Sequence, residues 1–213
     1  MTPPVLDRTV DDSDDSAKRR QIIEGAREVF LTHGFDAASM GEIARVAGVS
    51  KGTLYVYFEN KQELFDAIVG LECRAQAETI FRFDPDDHDV ATVLTRLGVE
   101  YVNFLCRPGG MSPVRTVIAI AERMPEMGRR FYETGPAHGI AQLAGYLDAQ
   151  VAARVLEVAD TQLAAAQFLE ACQATMFKPL VFNFGTAPSI GRIEHVVGTA
   201  VRVFMAAYAV RHP

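Results

Sequence analysis

Ile22, Ala26, Val29 and Phe30 fall three and four positions apart, which places them on one face of an α-helix. That helix is predicted to begin near Ser16 or Ala17 and to end near Gly34. Ile43, Ala44 and Ala47 repeat the spacing on a second, shorter helix. In a third, Val49, Leu54 and Phe58 face inward while Lys51, Gly52, Thr53, Tyr55 and Tyr57 stay outside. Leu64, Ala67 or Ile68, and Leu71 form the inner stripe of a fourth helix, from about Asn60 to Phe81. The segment Phe83-Asp-Pro-Asp-Asp-His88 breaks the pattern, because proline disfavours helical geometry in the residue before it. Helical periods then return over about 89–106, 113–124, 127–134, 136–156, 160–184 and 189–210. Pro108-Gly-Gly110, Pro125, Gly135-Pro136 and Gly185 to Pro188 separate them. No succession of alternating strands and hairpin turns occurs, so the expected fold is all-α, with about nine to ten helices.

The densest local signals lie between Ser39 and Lys61. Ser39 followed by Glu42 has the spacing of a capping box, in which side chains satisfy the first backbone N–H groups of a helix. Gly48 can take the left-handed conformation that ends a helix without steric cost. Ser50 is a suitable N-cap for the next helix, and Asn60 with Glu63 repeats the capping pattern. Two short helices around a tight turn make a helix-turn-helix, whose second helix can enter a DNA major groove.

These residues, with Ala26, Phe30 and Gly34-Phe35 before them, resemble the TetR family of bacterial transcriptional regulators. The matching motifs are Ile43-Ala44, Ala47-Gly48-Val49-Ser50, Gly52-Thr53-Leu54-Tyr55, Tyr57-Phe58, and Lys61 with Leu64. The resemblance implies a three-helix DNA-binding domain over 17–78, its helix-turn-helix core at about 39–58. It assigns Lys51, Gly52, Thr53 and Tyr55 to the recognition helix, at or near base edges, and makes Tyr57 and Lys61 phosphate anchors, with Ser39 able to cap and to touch phosphate. Packing within the small unit is the competing reading for Tyr55. Further on, Glu122-Arg-Met-Pro-Glu126 and Phe131-Tyr-Glu-Thr-Gly-Pro136 resemble the carboxy-terminal domain of AefR-like members. For 79–213 this implies effector binding and dimerisation.

Charge modifies this picture only in detail. The net charge of −6 runs against phosphate binding, but Asp7, Asp11, Asp12, Asp14 and Asp15 concentrate in residues 1–16, read as a disordered acidic tail. Lys18, Arg19, Arg20, Arg27, Arg45, Lys51 and Lys61 all belong to the DNA-binding unit. Lys18, Arg19 and Arg20 are either phosphate contacts or a solvated first turn. Three cysteines, Cys73, Cys106 and Cys172, suit a reduced cytoplasm better than a disulfide framework. No apolar run is long enough to span a bilayer, so no membrane partner is expected.

In the second domain Phe104, Met111, Ile118, Phe131, Phe168, Cys172 and Met176 supply material for an apolar effector pocket, with Asn103 and Glu122 as its polar groups. The alternative is that they form a plain core. Ala164, Ala165, Ala171, Val196 and Val197 suit close helix packing in a dimer bundle, as do Ala200, Val203, Phe204 and Ala207. They could equally pack within one subunit, and only the resemblance favours a homodimer. The five histidines are scattered without metal-ligand spacing, and neither a nucleophile elbow nor a phosphate-cradling loop is present. No cofactor or metal is expected, and an enzyme is disfavoured. The expected partners are double-stranded operator DNA, a small-molecule effector and a second copy of the chain. A redox response through Cys106 or Cys172 stays open.

Overall fold

The computed structural model describes residues 9–210, with side chains from residue 15 onward except Val69 and those of 71–78. It divides into two compact units, Met1–Gly70 and Leu71–Pro213, so the division falls inside the fourth helix rather than at its end.

In the first unit, α1 (Thr9–Ala37) begins within the segment expected to be a disordered tail; residues 1–8 lie outside the described residues. Asp11, Asp12, Asp14 and Asp15 thus fall within the first two turns of α1. Lys18, Arg19 and Arg20 therefore lie beyond the first turn. Gly34, at φ 77, ends the regular helix at the expected residue and lets Phe35 turn back onto the core. Phe30, Phe35 and Phe65 pack there with ring centroids 5.4–5.9 Å apart. The next helices are α2 (Met40–Val46), α3 (Lys51–Tyr57) and α4 (Lys61–Ile80). Gly25 sets how closely α1 approaches the end of α2, because a Cβ there would lie 2.6 Å from that of Ala47. Gln21 Nε2 donates to the Ala47 carbonyl at 2.7 Å, across the same contact.

The second unit continues with α5 (Val90–Cys106), α6 (Met111–Ile120), α7 (Pro125–Tyr132), α8 (His138–Ala152), α9 (Thr161–Cys172), α10 (Phe177–Val181) and α11 (Ile190–Tyr208). Its contiguous core lies among α5, α8, α9 and α11, around Leu94, Leu97, Leu143, Leu147, Phe168 and Val197. A Cβ on Gly98 would meet Val197 Cγ1 at 2.7 Å and Cys172 Sγ at 2.9 Å. The break at 83–89 is held from α8: Phe83 stacks on Tyr146, the Tyr146 hydroxyl donates to Asp87 O, and Gln150 bonds His88 Nδ1 and Pro85 O.

Two further helix boundaries depart from the sequence expectation. Gly135-Pro136 does not separate helices; Glu133–Ala137 forms a π-turn that carries α7 into α8. The wider turn accommodates Pro136, which has no N–H to donate to the helical ladder. Conversely, 160–184 is not one helix. It breaks after Cys172, where Thr175 takes φ 66 although neither glycine nor proline marks the place.

Candidate nucleic-acid interface and effector core

The helix-turn-helix is fixed by local bonds. Ser39 Oγ accepts from Glu42 N at 3.2 Å. The Glu42 carboxylate faces His33 Nε2 at 3.3 Å and Arg45 at 4.0 Å. Gly48 takes φ 66 and allows Val49 N to bond Ala44 O at 3.0 Å, which closes the turn. Ser50 Oγ then caps α3 by accepting from Thr53 N at 3.0 Å. Asn60 Oδ1 caps α4 through Glu63 N, while Glu63 returns a carboxylate oxygen to Glu59 N. The capping partners among these lie three or four residues apart, so sequence spacing alone determines them.

Leu54 and Phe58 face inward, at 0% and 3% exposure, so α3 presents its other side to solvent. Lys51, Gly52 and Tyr55 are exposed there. The Lys51 chain lies across Gly41, where a Cβ would come within 2.9 Å of its Cε. Thr53 is half-buried, and its hydroxyl sits 2.8 Å from Ser50 Oγ. Tyr57, also half-buried, donates its hydroxyl to Asp15 of α1. Arg19 stacks over Phe58, its guanidinium carbon 5.1 Å from the ring centroid, which gives one of the three basic residues of α1 a packing role.

Lys61 is placed differently from expectation. Its ammonium donates to the carbonyls of Phe35, Asp36 and Ala38 at 2.8–3.2 Å and lies 4.8 Å from the Phe35 ring centroid. Its three N–H donors are matched by three acceptors at the end of α1. The sequence reading also passed over Val56, 81% exposed. The signal was available: Val56 lies midway between Leu54 and Phe58, about 200° around the helix from each, so it must face away from the core. Gly52, Tyr55 and Val56 form the outermost stripe of α3.

The nine residues proposed for the effector pocket do not share one surface. Phe168, Cys172, Met176 and Met111 are buried, with Phe168 packed edge-on against Phe204 at 5.6 Å. Phe104 is half-buried under the Arg107 guanidinium, and Phe131 is half-buried on α7. Asn103 and Glu122, the expected polar groups, and Ile118 are exposed. The dimer candidates divide likewise. Ala164, Ala165, Val197, Ala200 and Phe204 belong to the subunit's own core, whereas Ala171, Val203 and Ala207 are exposed and Val196 is half-buried. The buried polar side chains that the sequence reading missed are Gln150 and Gln173. Gln150 is hydrogen-bonded at both ends, but Gln173 Oε1 has no partner. Leaving such an acceptor unpaired costs about 1–3 kcal/mol.

Residues 22–68 match the family model for bacterial regulatory proteins of the tetR family. Residues 92–210 match that of the AefR-like transcriptional repressor C-terminal domain, and this second match alone spans more than half of the 213 residues. The chain belongs to the TetR family of transcriptional regulators. A TetR-family regulator from Mesorhizobium loti has the same fold, with a TM-score of 0.85 and 27% identity over 92% of this chain and 98% of its own. The flavonoid-responsive regulator FrrA is 31% identical over 92% of this chain and 100% of its own, with a TM-score of 0.79. The fatty acid metabolism regulator protein of Bacillus subtilis is 34% identical over 82 residues, 38% of this chain and 41% of its own. The transcriptional activator FasR of Mycolicibacterium smegmatis is 48% identical over 52 residues, 24% of each chain. This chain thus covers less than half the length of those two curated relatives.

In this TetR-family regulator burial shapes the titrating groups of the second unit. It pushes the Cys172 thiol up to about 12 and raises that of Cys106 as well. Tyr146 rises to about 12, mainly through burial and secondarily through Asp87 and Asp89. Tyr101 is raised by burial, then by Glu170 and Cys172. Among the described residues, no three His, Cys, Asp or Glu side chains gather to hold a metal ion, and no helix is long and apolar enough to cross a membrane.

Proposed function

We propose that this TetR-family protein is a homodimeric repressor, released from an approximately palindromic operator by an apolar, aromatic small molecule. The observation that carries the reading is the outer face of α3. With Leu54 and Phe58 buried, Lys51, Gly52, Tyr55 and Val56 are exposed on a helix held by the Ser50 cap. Exposed Leu163, Ile190 and Val203 on α9 and α11 supply the apolar surface for a second copy, in place of Ala200 and Phe204. The flavonoid response named for FrrA supports an aromatic effector. The raised thiols of Cys106 and Cys172 weigh against redox control, since the thiolate is the reactive species.

Footprinting on genomic DNA, beginning upstream of the protein's own gene, tests the reading. Protection of a two-fold symmetric site is expected, with Tyr55→Ala reducing its preference over random DNA. Equal affinity of the wild type for random and genomic fragments would reject sequence-specific regulation.

A further inference from the structure

We propose that the Gln173 carboxamide oxygen is the polar anchor of the effector site, and that the effector is an apolar molecule carrying a hydroxyl donor. The inference rests on the reading of the chain as a ligand-released repressor and names the ligand chemistry of that site. Among the described residues, Gln173 Oε1 is the buried side-chain oxygen left without a hydrogen-bond partner, on a residue only 8% exposed. Buried acceptors in native folds are ordinarily paired, so an unpaired one needs an external donor or a functional reason.

The surroundings favour a ligand. Gln173 stands where α9 gives way to α10, between buried Cys172 and Met176. Arg115 of α6 donates to Leu180 and Val181 O, which ties α10 to α6, while Cys172 lies against Gly98 of α5. Thus α5 and α11 touch the residues that flank Gln173, at Cys172 and Thr175. The turn itself is strained: Thr175 is a β-branched residue at φ 66, held through its hydroxyl by Arg192 of α11 at 2.8 Å. Strain and an orphan acceptor coincide at one turn.

The chemistry selects the donor. As it stands, Oε1 only accepts, so the group that reaches it must bring a hydrogen; a carboxylate would have to meet Nε2 instead. A phenol or alcohol supplies both the missing hydrogen and an apolar body.

Calorimetric titration of the full-length protein with three probes tests the assignment: a trihydroxyflavanone, its tri-O-methyl ether and dodecanoate. The wild type is expected to bind the hydroxylated flavanone about tenfold more tightly than the ether, as one added neutral hydrogen bond implies. Q173M keeps similar length but removes the acceptor. It should erase that preference, leave ether binding unchanged, and melt no earlier than the wild type. Three binding results would overturn the proposal: wild type without the preference, tighter wild-type binding of dodecanoate than of the flavanone, or Q173M that retains the preference. The last would assign Oε1 to an internal water. Lower thermal stability of Q173M would likewise overturn it by making Gln173 structural. Operator release is scored separately. A flavanone that binds through Gln173 without releasing operator would reject the repressor mechanism while keeping the site.

Discussion

Lys61 directs its ammonium to the carbonyls of Phe35, Asp36 and Ala38, a helix end whose orphan acceptors it satisfies together. Lys61→Met should therefore destabilise the protein by about 1–3 kcal/mol in urea unfolding, because three carbonyls, two of them in partly buried bonds, lose a charged donor. Its salt dependence of DNA binding should stay that of the wild type. A slope flattened by one phosphate contact, with unchanged stability, would restore the anchor role. Val56 leads to the opposite kind of prediction. As an exposed apolar group on the face of α3, it suits a thymine methyl. Val56→Ala should lower preference at one operator position by roughly 1 kcal/mol, about one or two methylenes of apolar contact. Replacing that thymine by deoxyuridine should weaken the wild type and leave the variant unaffected. An equal loss in both would show that Val56 does not read the methyl.

At the level of elements, α11 carries apolar residues on two faces. Ile193, Val197, Ala200 and Phe204 turn into the subunit core, while Ile190 and Val203 are exposed. Val203→Arg should abolish dimerisation in sedimentation while helix content is retained, whereas Ala200→Arg should unfold the second unit by burying an unpaired charge. A folded, dimeric Val203→Arg protein would place the interface elsewhere. The same core produces an alkaline limit. Cys172 and Tyr146 keep their protons in the folded state to about 12, and Tyr101 is raised too, but the unfolded chain releases them at lower pH. The unfolded state then binds fewer protons than the native one, so stability is full below the unfolded pKa values and declines as pH rises toward 12. The urea midpoint should fall steadily above about pH 9, and Cys172→Ala should make the fall shallower. A flat midpoint up to pH 11 would contradict this.

For the molecule as a whole, α4 contributes residues to both units, Lys61 to Gly70 in one and Leu71 to Ile80 in the other. Ligand can loosen operator only if it favours a DNA-incompetent arrangement, and linkage then requires operator to weaken ligand by the same factor. A factor of about 5–150 is the usual range for such coupling. Titration of a confirmed inducer with and without operator measures it. Equal affinities in the two titrations would reject induction by coupling.

The sequence by itself determined what depends on near neighbours. Ser39, Ser50 and Asn60 cap their helices through residues three positions away, and Gly34 and Gly48 take the left-handed conformation that their lack of a Cβ permits. Leu54 and Phe58 point inward because spacing on a short helix leaves them one shared side. Where partners come from far along the chain, periodicity left several answers open and tertiary structure chose among them. Lys61 turned to α1 instead of solvent because three carbonyls ended there. Thr175 broke a helix without a breaker residue, in a turn where Arg192 of α11 holds its hydroxyl. Ala200 went into the core and Val203 to the surface of the same helix, because α5 and α9 could cover only one of its two apolar faces.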